Sequence, residues 1–360
     1  MREANPGTGR PPAHTSTHIS IGRPTIESSR PQQDDDDRTV ASVGEFAVIG
    51  RAVERRRQPS TTLLGPGDDA AVVRMPDGRA AVSADMLVEH RHFRLDWSTP
   101  EQVGRKAVAQ NGADIAAMGG RPTAFLVSLG CPPDTPLAVA AGISDGLGSA
   151  AEALGAGVVG GDLVQADEVV VSVTVLGDLE GRSPVLRSGA REGDVVAVAG
   201  ALGRSAAGLA LLLAGVDPSV PGAAELIDAH RVPTPPYEQG VAAAVAGASA
   251  MTDVSDGLVA DLGHIADASG VGIRIDRGRI DASAGLLDAA RDLGRDPWEW
   301  ILTGGEDHAL AATFPPGTVL PDGWSAIGEV VSGVDADGGR VLVDGHPWTV
   351  SGGWQSFDAG

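Results

Sequence analysis

Residues 99–131 read TPEQVGRKAVAQNGADIAAMGGRPTAFLVSLGC, and this stretch decides the class of the fold. Thr99 ahead of Pro100 marks a helix start, because the threonine hydroxyl can take an orphan first-turn amide and proline has no amide to lose. Gly119-Gly120 stops that helix near Met118. The apolar run Ala124 to Leu129 then predicts a strand, and a second helix follows at about 136–154. On the first helix Lys106, Gln110 and Asp114 are spaced i, i+4, i+8, so one face presents all three.

The same alternation extends both ways. Upstream, Phe46, Ile49 and Val53 fall at helical spacing, with strands expected at 70–73 and 80–83. Downstream, Val158-Val159 run into Gly160-Gly161-Asp162, and 169–176 is an apolar strand. Periodicity lapses at 177–191 into Gly, Ser, Pro and Arg, which marks a domain junction. Beyond it come a strand at 194–199, a helix at 205–213, and a proline-rich loop around a short helix at 218–236. A helix at 237–248, a strand at 250–253, a helix at 258–269 and a strand at 272–275 follow. Strands and helices mix in both halves, so the class is α/β or α+β in two domains. Residues 1–43 are polar, carry the run Asp34 to Asp37 and show no apolar period, so they are expected to be a disordered extension. The division is then 44–181 for the N-terminal domain and 182–360 for the C-terminal one.

Composition narrows the function. The net charge of −21 argues against an electrostatic grip on nucleic acid or on an anionic membrane. The single cysteine, Cys131, cannot form an internal disulfide and fits a reducing compartment. No signal-peptide layout and no apolar run of about 18 residues is present, so cytoplasm is the expected location. Lys106 is the only lysine in 360 residues, which rules out a Gly-x-x-x-x-Gly-Lys phosphate loop.

Acidic, glycine-rich knots punctuate the chain: Gly-Asp-Asp at 67–69, Ser-Ala-Asp at 83–85, Asn-Gly-Ala-Asp at 111–114, Gly-Gly-Asp at 160–162, Asp-Val-Ser-Asp-Gly at 253–257 and Gly-Gly-Glu-Asp at 304–307. Glycine lets backbone approach an oxyanion, and carboxylates are the oxygen ligands of Mg²⁺. Each knot also has a plain structural reading. Those at 67–69, 160–162 and 304–307 are turns as readily as sites. Asp253-Val254-Ser255-Asp256 is either a capped helix start, with Ser255 or Asp256 serving the first-turn amides, or a metal carboxylate beside phosphates. Asp85 ends a strand, and His90 and His92 beyond it are either structural or, for His92, a substrate contact. Asp114 is the sharpest of the set. A carboxylate on a small-residue helix face needs a cation or the Lys106 ammonium to meet it.

In order, these stretches resemble the thiamine-monophosphate kinases, which phosphorylate thiamine monophosphate to thiamine diphosphate. The resemblance runs through Gly44-Glu45-Phe46, Gly67 to Ala70, Asp85 to Val88 with His92-Phe93, and Lys106 to Gly119. It continues through Gly160 to Asp162, Arg187 to Ala190, Ser205 to Gly208, Asp253 to Gly263 and Gly304 to Asp307, so it spans about 44–357. It implies a fold like that of aminoimidazole-ribonucleotide synthetase. That fold has an α/β N-terminal domain dimerising through its sheet, an α+β C-terminal domain, and ATP with several Mg²⁺ ions in a cleft between them.

By the same resemblance Asp69, Asp85, Asp114, Asp162 and Asp253 are metal ligands, with Ser83 and Asp256 as additions. Gly160, Gly161, Asp162, Arg187 and Ser255 meet ATP. His92 and Glu306 meet the acceptor, with Trp354 or Phe357 stacking on it. Ala84 stands where the family often has threonine, which leaves one metal contact without a side chain. The expected reaction is direct in-line transfer of the ATP γ-phosphoryl group with Mg²⁺, by a homodimer. Two other readings are selenophosphate or aminoimidazole-ribonucleotide synthesis, and a non-catalytic Mg-nucleotide sensor. The reactive cysteine or selenocysteine beside a lysine that marks selenophosphate synthetases is absent.

Overall fold

A computed structural model describes residues 38–53, 56–66, 70–333 and 340–348, with only the backbone of Glu45 and Phe46. Asp69, Trp354 and Phe357 therefore lie outside the described residues. All elements below belong to one unit, 35–360. Structure begins before Gly44, where the sequence reading ends an extension. Thr39 and Ser42 form a reciprocal capping box on helix α1 (Val40–Val43), a local signal too short to leave an apolar period. Helix α2 (Glu45–Val53) and the small hairpin β1 (Thr62–Leu64) and β2 (Val72–Val73) follow.

Strand β3 (Ala81–Val88) leads to α3 (Pro100–Ala117), the helix of the opening stretch. Thr99 and Gln102 cap it reciprocally, and Pro100 occupies the first turn. Strand β4 (Arg121–Cys131), helix α4 (Leu137–Ala153), and strands β5 (Gly157–Gln165) and β6 (Val170–Asp178) complete the first domain. Its four-stranded sheet runs β3-β6-β4-β5, antiparallel except for β4 against β5. Side chains alternate across it. Leu87, Phe125, Val127, Leu163, Val171 and Val173 point to the face covered by α3 and α4, where they pack with Val103, Val108, Ile143 and Leu147. On the other face Val82, Met86, Leu126 and Val164 are exposed.

The second domain places β7 (Val195–Ala199), α5 (Arg204–Leu213), α6 (Ala223–Arg231), α7 (Tyr237–Ala246), β8 (Ala250–Val254), α8 (Leu258–Ser269) and β9 (Gly272–Ile275) in order. A 3₁₀ turn (Arg277–Arg279), α9 (Ala284–Leu293), α10 (Pro297–Thr303), β10 (Ala309–Phe314), β11 (Trp324–Val331), β12 (Val341–Val343) and β13 (His346–Pro347) finish it. The sheet order is β13-β12-β9-β11-β7-β10-β8, antiparallel except for β12 against β9. The β8 end of the sheet is covered on both faces, so β8 and β10 are buried at every position rather than alternately, Thr252, Asp253 and Thr313 included. One face packs on α5, α6, α8, α9 and α10. The other packs on α7 and on Ala116 and Ala117 from the end of α3, so one helix serves both domains. At that seam backbones touch: a Cβ on Gly240 of α7 would lie 2.0 Å from the Ala116 carbonyl oxygen. The two domains are thus of mixed α and β content, as the sequence pattern requires.

Two local expectations change. Gly160-Gly161-Asp162 is neither a turn nor a loop but the middle of β5, and Gly161 is small because a Cβ there would sit 2.0 Å from the Val127 carbonyl oxygen. Asp85 does not end its strand, which runs three residues further to Val88.

Candidate active site

The alternation of β3 puts Ser83 and Asp85 on the face that looks at α3. Because β3 is a sheet edge, the Asp85 amide has no strand partner on that side. It donates to Asn111 Oδ1 at 3.1 Å, and Asn111 is fixed in turn by its Nδ2 donating to the Ala107 carbonyl at 2.9 Å. One turn along α3, Asp114 Oδ2 accepts a 2.6 Å hydrogen bond from the Ser83 hydroxyl. Ala84 points to the opposite, exposed face, paired with Thr174.

The second domain meets this group at the end of β8. Asp253 is buried, and its Oδ2 lies 3.2 Å from His308 Nδ1. Burial opposes charge on that imidazole, yet the hydrogen bond and charge of Asp253 outweigh it and raise the His308 pKa, so the ring is the donor. Asp114 has its carboxyl pushed up to about 7 by burial and by the charges of Asp253 and Asp85, against the Ser83 hydrogen bond. Asp256 is also raised, by burial and by Asp253, with His264 and the exposed Arg187 acting the other way. Asp85, Asp114, Asp253 and Asp256 therefore feel one another across the two domains. Like charges this close resist ionising together unless a cation joins them.

The ammonium that could have met Asp114 is elsewhere. Lys106 Nζ donates to the His92 carbonyl at 2.9 Å, the His230 carbonyl at 3.1 Å and Glu306 Oε2 at 3.2 Å, with Glu306 Oε1 at 3.1 Å. Burial works against charge on Glu306, but the Lys106 ammonium, by its charge and its hydrogen bond, helps outweigh it and lower its pKa. His230 is itself lowered to about 4, first by burial and then by Lys106, so it is neutral where it faces Ser205 Oγ at 3.1 Å. His92 is half-buried and also lowered, mainly by burial, and its Nδ1 accepts from the Val88 amide.

The cap of α8 also differs from expectation. Neither Ser255 nor Asp256 caps it. Asp261, inside the helix, reaches back so that its Oδ2 accepts from the Asp256 and Gly257 amides, both at 3.0 Å. Burial and the Asp253 charge raise it to about 7. One ligand atom each from Asp256, Asp261 and His264 lie within 4.8 Å of one another. Ser255 offers its carbonyl to the Glu306 amide at 2.8 Å. Asp307 of the last knot holds the start of α5, its oxygens accepting from the Gly203 and Ser205 amides at 2.5 and 2.8 Å.

Asp162 stands apart. It is exposed on β5, at the opposite edge of the sheet from β3 and on the opposite face from Asp85. Gly160 shares that outer face. Asn111, His230, Asp261 and His308 were not legible as site residues. Two of them carried a signal that could have found them: Asn111 opens the Asn-Gly-Ala-Asp knot, and His308 directly follows Gly-Gly-Glu-Asp.

Residues 67–179 match the N-terminal domain of the AIR synthase related proteins, and residues 191–315 match their C-terminal domain. The chain is 58% identical to the thiamine-monophosphate kinase of Mycobacterium tuberculosis over 327 residues, 89% of this chain and 93% of that one. It is 45% identical to the Corynebacterium glutamicum enzyme of the same name, over 89% of this chain and 96% of that one. Among solved structures, AaThiL complexed with AMPPCP and TMP superposes with a TM-score of 0.73 at 34% identity, covering 88% of this chain and 97% of that one. Fold and site thus define an AIR synthase related protein of two domains. Within that class, the chain belongs to the thiamine-monophosphate kinase family.

Proposed function

We propose that this chain transfers the γ-phosphoryl group of ATP to thiamine monophosphate, giving thiamine diphosphate and ADP. The observation that carries the reading is the cluster of Asp85, Asp114, Asp253 and Asp256, which two domains build together while the one lysine is committed to Glu306. In the reaction, an oxygen of the acceptor phosphate forms a bond to the γ-phosphorus as the bond from that phosphorus to the β–γ bridging oxygen breaks. The acceptor's second pKa is about 6, so it is mostly a dianion near neutrality and needs no general base.

The donor set fits Mg²⁺. It is all oxygen, and Asp114 and Asp256 are raised in pKa first by burial and then by the charge of Asp253, with Asp85 adding to both. When bound, the metal supplies the positive charge that lets two anionic reactants approach. Asp85, Asp114, Asp253 and Asp256 would hold it, with Ser83 fixing the Asp114 carboxylate and His308 that of Asp253. Asp69 belongs to the same ligand set. Ser255 and Arg187 face the nucleotide in the cleft between the domains, 44–181 and 182–360, while Gly160 and Gly161, beside Asp162 on β5, meet the nucleotide of the neighbouring protomer. His92 and Glu306 face the acceptor, with Trp354 stacking on it. ATP as donor places the reaction in the cytoplasm.

The protein acts as a homodimer. Val82, Met86, Leu126 and Val164 are large apolar side chains left exposed on one face of the first sheet, with Asp162 among them, and a second copy stacked there covers them. Three strand spacings, about 14 Å, separate β3 from β5 within a protomer, so Asp162 serves the neighbouring protomer's metal cluster. The decisive measurement is ADP release from ATP with thiamine monophosphate as the only acceptor. Nucleotide binding without turnover would instead favour a sensor and sink the assignment.

A further inference from the structure

We propose that Lys106 is a positioning residue for the acceptor side of this reaction, clamping His92 of one domain and Glu306 of the other into a single geometry. This rests on the reading that those two residues face thiamine monophosphate. An ammonium has three N–H donors, and here each has a partner from a different segment: the His92 carbonyl after β3, the His230 carbonyl at the end of α6, and the Glu306 carboxylate before β10. Lys106 is 1% exposed. It sits on α3, the helix that packs against both sheets.

Two features say that this arrangement does more than fill space. A buried ion pair is a poor source of stability, since apolar side chains of similar volume serve as well or better. Glu306 is also held at φ +64°, a left-handed conformation unfavourable for a residue with a Cβ and kept only where its surroundings impose it. What imposes it is on both sides. Lys106 holds the carboxylate, and the Glu306 amide donates to the Ser255 carbonyl at 2.8 Å. The chain of contacts therefore runs from His92 through Lys106 and Glu306 to the turn between Asp253 and Asp256. Lys106 itself is too deeply buried to touch either substrate, so it acts through the groups it holds.

The test is steady-state kinetics of full-length enzyme in saturating Mg²⁺ for Lys106→Met, Lys106→Arg, Glu306→Gln and the Lys106→Met/Glu306→Gln double variant. Lys106→Met is expected to raise KM for thiamine monophosphate by about tenfold while KM for ATP moves by less than about twofold. The double variant should be no worse in acceptor KM than Glu306→Gln alone, within about twofold, because the two residues act as one unit. Lys106→Arg keeps the charge but not the three-way donation, and it too should raise the acceptor KM. Equal shifts in both KM values, or multiplicative effects in the double variant, would mark a general structural role and overturn the assignment. If Lys106→Met does not fold, an unchanged acceptor KM in Lys106→Arg overturns it as well. Wild-type enzyme that releases no ADP with thiamine monophosphate would overturn the function and this assignment together. Active wild-type enzyme with unshifted variants overturns this assignment alone.

Discussion

Two groups of charges lie along α3, two turns apart, and they are built on opposite principles. Around Lys106 the charges balance: one ammonium, one carboxylate, and two neutral imidazoles nearby, all hydrogen-bonded. Around Asp114 they do not balance. Burial, and then the charges of Asp253 and Asp85, raise Asp114 and Asp256, and the nearby His308 is taken by Asp253. A satisfied buried network holds a shape, whereas an unsatisfied one holds a place for something else. The difference separates the part of the site proposed to position the acceptor from the part proposed to bind metal and phosphate.

The largest expected effect breaks the unbalanced group. Asp114→Asn and Asp253→Asn should each lower kcat by at least about a hundredfold, with the far-ultraviolet circular dichroism unchanged. Near-normal turnover in either variant would remove that residue from the site. A smaller effect tests where Asp162 works. Asp162→Asn and Asp114→Asn, each inactive alone, should recover about a quarter of wild-type activity after mixing and subunit exchange. Random pairing makes half the dimers mixed, and each mixed dimer holds one intact site of two. No recovery would place Asp162 in its own protomer's site or outside any site.

The smallest effect sharpens the contrast through pH. The Asp114 carboxyl is held at about 7, above its usual 3.8, so the folded metal-free protein binds this proton more tightly than the unfolded chain does. The charged form therefore costs stability above pH 7, the cost shrinks as pH falls from 7 toward 4, and it is gone below. Asp114→Asn removes the cost. In chelator, the variant should melt a few degrees above wild type at pH 8, lose that advantage by pH 4, and lose it at pH 8 when Mg²⁺ is added. A variant that melts below wild type at pH 8 in chelator would show that Asp114 is not in an unbalanced field.

Much of this was legible because the signals are local. Thr99, Pro100 and the paired glycines delimit α3 within a residue, since capping chemistry operates over three or four positions. The i, i+8 spacing put Lys106 and Asp114 on one face correctly. It could not pair them: eight residues rise roughly 12 Å along a helix, beyond side-chain contact, and Lys106 instead meets Glu306 from 200 residues away. Gly160-Gly161-Asp162 has the composition of a turn but continues β5, where the close approach of β4 demands the small residue. Ser255 and Asp256 look like caps, yet Asp261 does that work from inside α8.

By itself the sequence determined the alternation of helix and strand, the two-part organisation, and an inventory of acidic groups in a chain with one lysine. Each follows from neighbours within a few residues or from composition. Tertiary structure alone decided which carboxylates share a field, where the single ammonium is spent, and that Asp162 faces away from the rest. Those outcomes depend on which faces of sheets and helices meet, and contacts between residues 30 to 200 positions apart leave no periodic trace in the chain.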